Sequence, residues 1–236
     1  MRREGHPVKV NTNRPPYHVI RWLGRIEYRE AWALQQRLVI QRLAGEIPDT
    51  LLLLEHPPTL TLGRGAGADH IVVSAEQLAS EGIDVVETDR GGDVTYHGPG
   101  QLVGYPILNL KDAPHVPDLH RYLRDLEETV IRMLTVFGVP SGRFPGLTGV
   151  WTQLDTPSPA KIAAIGIKVS QWITQHGFAL NVCPNLSHFD LIVPCGISEY
   201  GVTSMSRVIG RTITIEEVLP AVEFAFAEVF GVELSS

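Results

Sequence analysis

The chain has 236 residues, 44% of them hydrophobic, and this is enough to bury a core in one large domain or two small ones. Its net charge of −6 argues against nucleic acid as a main partner. No apolar run reaches the ~18 residues that span a bilayer, so no membrane is expected as a partner. Two cysteines and an N-terminus without a continuous apolar stretch predict a cytoplasmic protein with no secretory signal.

Basic side chains concentrate at the N-terminus. Residues 1–25 carry six basic side chains and one acidic side chain, although the whole chain is acidic. We interpret residues 1–16 as a basic N-terminal extension and residues 17–236 as a single domain. A basic segment on an acidic body could meet an acidic partner, and a solvated tail is the simpler interpretation.

The first half of the chain predicts short strands and two helices. A helix is expected over 27–44, because Ala31, Leu34 and Leu38 fall on one face and Gly45 follows. Ser74, with Gln77 three residues later, predicts a capping box at the start of a short second helix. Strands are predicted at 17–26, 50–54, 59–62, 83–87 and 101–108.

The second half predicts two long helices and three strands. Apolar residues recur at three- and four-residue steps over 118–137, and Gly138 follows as a stop. Thr214 and Glu217 predict a capping box before a final helix, in which Pro220 marks a kink or the true start. Strands are predicted at 149–152, 161–170 and 171–182. The pattern favours an α+β fold, a mixed, mostly antiparallel sheet with helices packed on one side.

A glycine-rich segment, RGGDVTYHGPGQ, is the densest chemical signal. It runs from Arg90 to Gln101 with four glycines and a proline, so its backbone turns sharply and lets a ligand approach closely. It contains neither a Walker A motif nor a dinucleotide fingerprint. A plain hairpin needs fewer special residues, so we interpret it as a binding segment. GRGAG at 63–67 remains either a hairpin turn or a second such loop.

Two cysteines and two lysines are candidates for covalent chemistry. Cys195 stands between a proline and a glycine, on a turn that presents either a packing residue or a nucleophile. Cys183 continues a strand-like alternation and is interpreted as packing. Lys161 and Lys168 are either solvated residues of an edge strand or include one amine that stabilises a nearby thiolate. They are seven residues apart, which puts them on opposite faces of a strand unless a bulge intervenes.

Two further signals concern the strand after Lys168 and a possible metal. The run HGFALNV begins at His176 and has a glycine near its start, where the backbone could line a pocket. The cysteine spacing fits no common zinc pattern, so no metal is predicted.

Five motifs in one order resemble those of the lipoyl(octanoyl) transferases. They are RGGDVTYHGPGQLVGYPIL, GVW, KIAAIGIKV, HGFALNV and PCGI with GVTS after it, and the similarity runs from about Leu51 to Arg207. The resemblance implies a catalytic domain related to biotin and lipoate protein ligases. It also implies octanoyl transfer from acyl carrier protein to a lysine of a lipoyl domain, in 2-oxoacid dehydrogenase complexes or the glycine cleavage H protein. ATP and metal are not expected.

The same resemblance assigns roles to particular residues. Cys195 matches the acyl-accepting nucleophile, and Lys161 matches the catalytic lysine. Three stretches match substrate-binding residues, namely Arg90, Gly91, Gly92, Asp93, Val94, Thr95, Tyr96, His97; Ala164, Ile165, Gly166; and Gly177, Phe178, Ala179. Two alternatives stay open: an ATP-dependent lipoate ligase of the same fold, and a non-catalytic acyl-binding module.

Overall fold

The computed structural model describes residues 17–67, 70–193 and 200–235. The helices are α1 (Tyr28–Ala44), α2 (Ala75–Ser80), α3 (Leu119–Val136), α4 (Met205–Ile209) and α5 (Ile215–Phe230), with a 3₁₀ helix at Leu186–Leu191. The strands are β1 (Tyr17–Arg25), β2 (Thr50–Glu55), β3 (Thr59–Leu62), β4 (Asp84–Glu87), β5 (Val94–His97), β6 (Gln101–Ile107), β7 (Ser141–Phe144), β8 (Leu147–Thr152), β9 (Ala160–Ser170), β10 (Ile173–Asn181), β11 (Gly201–Val202) and β12 (Glu233–Ser235).

A large mixed sheet carries the fold. Its described strands follow the order β12-β1-β2-β6-β10-β9-β8-β7, with β11 paired to β9. The pairs from β2 to β7 along this order are antiparallel, whereas β1 pairs in parallel with both of its neighbours. The α+β class and the mostly antiparallel sheet are therefore confirmed.

Helices cover both faces of this sheet, which corrects the expected one-sided packing. Leu51 and Leu53 of β2 join the core under α3 and α5, whereas Leu52 and Leu54 join the core under α1. Successive side chains of a strand point to opposite faces, so an uninterrupted run of leucines needs cover on both sides. The run at β2 is the sequence signal for this arrangement.

A second, three-stranded sheet lies beside the first and contains part of the glycine-rich segment. Its order is β4-β3-β5, and Leu60, Val94 and Tyr96 are buried in its own core. The segment from Arg90 to Gln101 is therefore not turns throughout, since β5 interrupts it. Four residues with two apolar positions are too short a pattern to stand out among the surrounding glycines.

The helix ends follow the predicted capping chemistry, with two corrections. At α5 the Thr214 side chain accepts from the N–H of Glu217, whose carboxylate accepts from the N–H of Thr214. At α2 only the first half forms, because the Gln77 amide donates to Glu81 instead of turning back to Ser74. Pro220 lies inside α5 and does not mark its start.

The strand that carries both lysines is central, so the edge-strand interpretation is wrong. β9 lies between β10 and β8 and also pairs with β11. Its pairing with β8 slips by one residue, since Val150 faces Ala163 but Trp151 faces Lys161. This bulge is what determines where the two lysines point. Of the helices in the described ranges, none has the length and apolar character to cross a membrane.

Candidate active site

A pocket of about 290 Å³ lies between the glycine-rich segment and strands β9 and β10. All three predicted substrate-binding stretches contribute to its wall, and only Gly91 and Tyr96 of those residues do not line it. The lining residues from these stretches are Arg90, Gly92, Asp93, Val94, Thr95, His97, Ala164, Ile165, Gly166, Gly177, Phe178 and Ala179. Lys161 lines the same pocket.

Gly91 and Tyr96 have structural positions instead. The N–H of Gly91 donates to the carbonyl oxygen of Ile167 at 2.9 Å, which fastens the glycine-rich segment to β9. Tyr96 is buried in the core of the small sheet, and its hydroxyl lies 2.7 Å from Nδ1 of His188. The two positions were predicted from a contiguous motif, but Gly91 lies before β5 in a turn bonded to β9, and the Tyr96 side chain packs in the core of the small sheet.

The amine of Lys161 is less basic than that of an ordinary lysine. It rests on the ring of Trp151, with Nζ 4.9 Å from the ring centroid. Burial lowers its pKa from 10.5 to about 8, because desolvation disfavours the charged form. Roughly a tenth of this amine is therefore neutral at pH 7, far more than for an ordinary lysine, and the neutral form is able to accept a proton.

Lys168 lies on the same face of β9 as Lys161. Lys161 lines the pocket with Ala164 and Gly166, and Lys168 continues this alternate series beyond the bulge. Its Nζ lies 2.5 Å from Asp89, next to the pocket residue Arg90. Opposite faces were expected unless a bulge intervened, and this bulge is present and adds one residue between the lysines.

Asp89 links Lys168 to His176. Its second carboxylate oxygen accepts from Nε2 of His176 at 2.8 Å. Burial lowers the pKa of His176. For Asp89, burial alone would raise the pKa, but the hydrogen bonds and positive charges of Lys168 and His176 outweigh it, and the pKa lies below its usual value. This cluster holds the start of the glycine-rich segment against β9 and β10.

Arg90 is a buried cation in the pocket wall. Its Nη2 donates to the carbonyl and the hydroxyl of Thr61, at 2.7 and 2.8 Å, and Nη1 donates to the carbonyl of Gly91. Burial lowers the pKa of Arg90. The guanidinium therefore ties the segment to β3 and leaves a positive charge beside the pocket.

His97 is held neutral and oriented. Burial lowers its pKa far below the usual value, so Nδ1–H donates to the Gln101 side-chain oxygen at 2.7 Å. The Gln101 amide nitrogen in turn donates to Asn181 at 2.9 Å. This series of hydrogen bonds leaves Nε2 of His97 as an acceptor.

Cys195 lies outside the described residues, as do the other residues of 194–199. The chain is described again at Tyr200, whose ring packs on Trp151 with centroids 5.6 Å apart. Two residues later Val202 pairs with Lys161 in β11 and β9.

Cys183 corrects another prediction. Its side chain is exposed, so it does not pack in the core. The alternation of β10 ends at Asn181, and Cys183 follows in the turn, where the strand period no longer applies.

Several pocket residues lie outside the recognised motifs. They come from α1, from the β7–β8 turn with the start of β8, and from the 3₁₀ helix, and these elements are distant in sequence. They are Tyr28, Gly146, Leu147, Thr148 and Phe189. Five further lining residues fall within recognised motifs but were not predicted as site residues, namely Gln101, Tyr105, His176, Asn181 and Val202. In the part of the chain that the structure describes, no three His, Cys, Asp or Glu side chains are grouped to hold a metal ion.

Comparison with known proteins identifies close sequence relatives. An octanoyltransferase of Rubrobacter xylanophilus is 52% identical over 226 residues, covering 95% of this chain and 98% of the relative. An octanoyltransferase of Chloroflexus aurantiacus is 50% identical over 91% of this chain and 94% of the relative. One from Myxococcus xanthus is 53% identical over 89% of this chain, which spans only 59% of that longer protein.

Solved structures share the fold at low sequence identity. The bipartite lipoate protein ligase of Thermoplasma acidophilum superposes with a TM-score of 0.71 at 17% identity, covering 94% of this chain and 86% of that one. A lipoate-protein ligase A bound with ATP gives 0.70 at 17% identity, covering 93% and 87%. Residues 27–227 match the lipoyl protein ligase A/B catalytic domain, and the chain belongs to that family.

Proposed function

We propose that this chain is an octanoyltransferase that attaches octanoyl groups to lipoyl-domain lysines. Relatives that are 50–52% identical to this chain over most of its length are octanoyltransferases, and this supports the acyltransferase class. The structural observation that carries the proposal is Lys161, an amine with a pKa of about 8 in the wall of a mainly apolar pocket.

In the first half-reaction we assign the nucleophile to Cys195. Lys161 takes the thiol proton, and the thiolate attacks the carbonyl carbon of an octanoyl thioester. A new C–S bond forms and the C–S bond to the carrier breaks. Lys161 returns its proton to the departing carrier thiolate, so charge and atoms balance.

In the second half-reaction a neutral lysine of the acceptor domain attacks the acyl-enzyme. The C–N bond forms, the bond to Cys195 breaks, and Lys161 accepts the proton that the attacking amine loses. That proton then passes to the Cys195 sulfur, which restores the starting state. Thioester-to-amide transfer is downhill, so the mechanism requires neither ATP nor a metal.

The pocket suits the acyl chain of this reaction. Val94, Ile165 and Phe178 supply apolar surface, and Gly177 admits the backbone of β10 to the wall. We expect acyl carrier protein as donor. Lipoyl domains of 2-oxoacid dehydrogenase complexes and the glycine cleavage H protein are the expected acceptors. The cytoplasmic location stays a prediction from composition.

Intact-mass analysis tests the proposal directly. The chain is mixed with octanoyl carrier protein without ATP or magnesium, and a mass increase of one octanoyl group is expected. Cys195→Ser should lose the thioester adduct, whereas Cys183→Ser should keep it, because Cys183 is an exposed thiol outside the pocket lining.

Three outcomes separate the candidate functions. An adduct on Cys195 followed by transfer to a lipoyl domain supports the transferase. Transfer from free octanoate that strictly requires ATP would assign the chain to the ligases. Tight octanoate binding with neither reaction would make it a binding module.

A further inference from the structure

Glu127 is a completely buried carboxylate that no motif singled out. It lies on α3 with a side chain 0% exposed. Its Oε2 accepts from Arg124 at 2.6 Å and from Nε of Arg143 at 2.9 Å. Its Oε1 accepts from the backbone N–H of Gly149 at 3.1 Å. Buried charges require such partners, and here the partners come from α3, β7 and β8.

Gly149 touches the stem of Lys161. Its φ is +123°, a conformation that favours glycine. A methyl group built there would lie 2.6 Å from the carbonyl oxygen of Ala163 and 3.4 Å from Cε of Lys161. The bare backbone of Gly149 thus packs beside the lysine where no side chain fits.

The hairpin that Glu127 fastens is also a wall of the pocket. Its turn supplies Gly146, Leu147 and Thr148 to the lining. On the other strand of the hairpin, Nη2 of Arg143 donates to the carbonyl of Arg124 at 2.9 Å. The β7–β8 hairpin is therefore fixed to α3 from behind, through one carboxylate and one guanidinium.

We propose that Glu127 is a positioning residue for Lys161, holding Gly149 and the β7–β8 hairpin closed against the lysine stem so that water is excluded from its amine. The inference rests on the function proposed above for Lys161. Glu127 does not line the pocket and forms no hydrogen bond with the Lys161 amine, so its effect is exerted through Gly149.

The consequence concerns how Lys161 holds its proton. Burial lowers its pKa to about 8. The other titratable groups among the described residues that line the same pocket are Tyr28, Arg90, Asp93, His97, Tyr105 and His176. A loosened hairpin admits water, and the pKa then rises towards 10.5. Each unit of rise lowers the neutral fraction at pH 7 roughly tenfold.

Glu127→Gln tests this with a matched control one residue away. Glu128→Gln removes a carboxylate from the same helix that also binds Arg143, but Glu128 does not contact Gly149. The chain has only four lysines, Lys9, Lys111, Lys161 and Lys168. Reductive ¹³C-methylation therefore gives few NMR signals, and the signal missing in Lys161→Arg assigns the residue.

Glu127→Gln should raise the pKa of Lys161 by about one unit. It should slow single-turnover transfer at pH 7 roughly tenfold, with recovery near pH 9 and an unchanged donor KM. Glu128→Gln should do neither. Equal titration of Lys161 in both variants overturns the proposal.

A second variant keeps the test decisive if Glu127→Gln does not fold. Arg143→Met removes one of the two donors to Oε2, the one that comes from the hairpin, and should shift the titration in the same direction; no shift there also overturns the proposal. Failure of the proposed function is a separate result. It would appear as absent octanoyl transfer in the unmodified chain, whereas the titration requires no octanoyl donor.

Discussion

Lys161 and Lys168 share a strand face but differ in their partners. Lys161 lies on Trp151 with a pKa lowered by burial, whereas Lys168 is paired with Asp89. One amine is poised to exchange a proton near neutral pH, and the other lies in an ion pair with a carboxylate. This contrast predicts different responses to the same conservative substitution.

Lys161→Arg should form some acyl-enzyme but lose the second half-reaction, by roughly 10²–10⁴-fold, because a guanidinium cannot accept a proton. Lys168→Arg should keep most of the activity, since an arginine can also pair with Asp89. Single-turnover acylation and transfer measure both steps. Normal transfer in Lys161→Arg together with loss in Lys168→Arg would reverse the assignment.

In the unmodified chain, the rate of transfer should rise with pH and level off above the Lys161 pKa of about 8.

At the residue scale, the motifs located most of the pocket but not its geometry. Ala164 to Gly166 and Gly177 to Ala179 line the pocket as expected. The bulge at Lys161 could not be predicted, because the pairing of β9 with β8 is set by distant residues. Glu127 was also missed. In the sequence, a glutamate within an amphipathic helix resembles a solvated charge, and its contacts with Gly149 and Arg143 form only in the folded chain.

Among the elements, α5 begins with a complete capping box. Thr214 and Glu217 exchange hydrogen bonds with each other's backbone, and Glu217 also pairs with Arg211 at 3.0 Å. At the start of the short α2, the Ser74 side chain accepts from the N–H of Gln77, and the return bond of the box does not form. The two caps were predicted with the same sequence rule but differ in what they contribute.

Thr214→Ala should lower the free energy of unfolding by about 1 kcal/mol, because a buried helix loses its capping side chain. This corresponds to a fall in Tm of roughly 2–4 °C for a domain of this size. Ser74→Ala is the control and should cost less, since its box is half formed and its helix has six residues. Chemical denaturation of both variants measures the difference, and an equal or larger loss in Ser74→Ala would contradict the expectation.

At this scale, the long periodic elements were predictable, whereas several of the shortest strands were not. The spans of α1, α3 and α5 agree with their apolar periods to within a residue or two. β5, β7, β11 and β12 were missed because two to four residues carry no period, and their pairing depends on neighbours brought together by the fold.

For the whole molecule, the proposed carrier-protein donor is expected to be acidic, although this chain itself has a net charge of −6. We expect such a donor to dock through basic side chains, for which the candidates are the N-terminal arginines and, on α3, Arg121 and Arg124. Both have partners: Arg124 binds the buried Glu127 at 2.6 Å, whereas Arg121 lies 3.8 Å from Asp125 and is 61% exposed. Arg121 is consequently the better candidate. Of the arginines in residues 1–25, Arg2, Arg3 and Arg14 lie outside the described residues.

The donor KM should rise with ionic strength, because exposed charge pairs are screened over about 10 Å at 0.1 M salt. Arg121→Gln should raise the donor KM at low salt and leave the acceptor KM unchanged. Arg132→Gln is the control, since it removes an exposed arginine from the same helix. Steady-state kinetics over a salt series provide the measurement, and a flat response would leave the docking surface elsewhere.

The α+β class could be inferred from the sequence because strands outnumbered helices and the helices were separated. The coverage of both sheet faces could have been inferred from Leu51 to Leu54, but the helix count alone suggested one side. Which helix covers which face depends on chain crossings that no local pattern encodes.

The pairing of β1 with β12 has a practical consequence for handling the protein. Tyr17 is level with Glu233, so the first and last described strands lie side by side at one border of the main sheet. Lys161 lies in β9, several strands away across that sheet. A reporter fused directly before Tyr17 or directly after Ser235 would therefore emerge from the same border of the sheet, several strands away from Lys161.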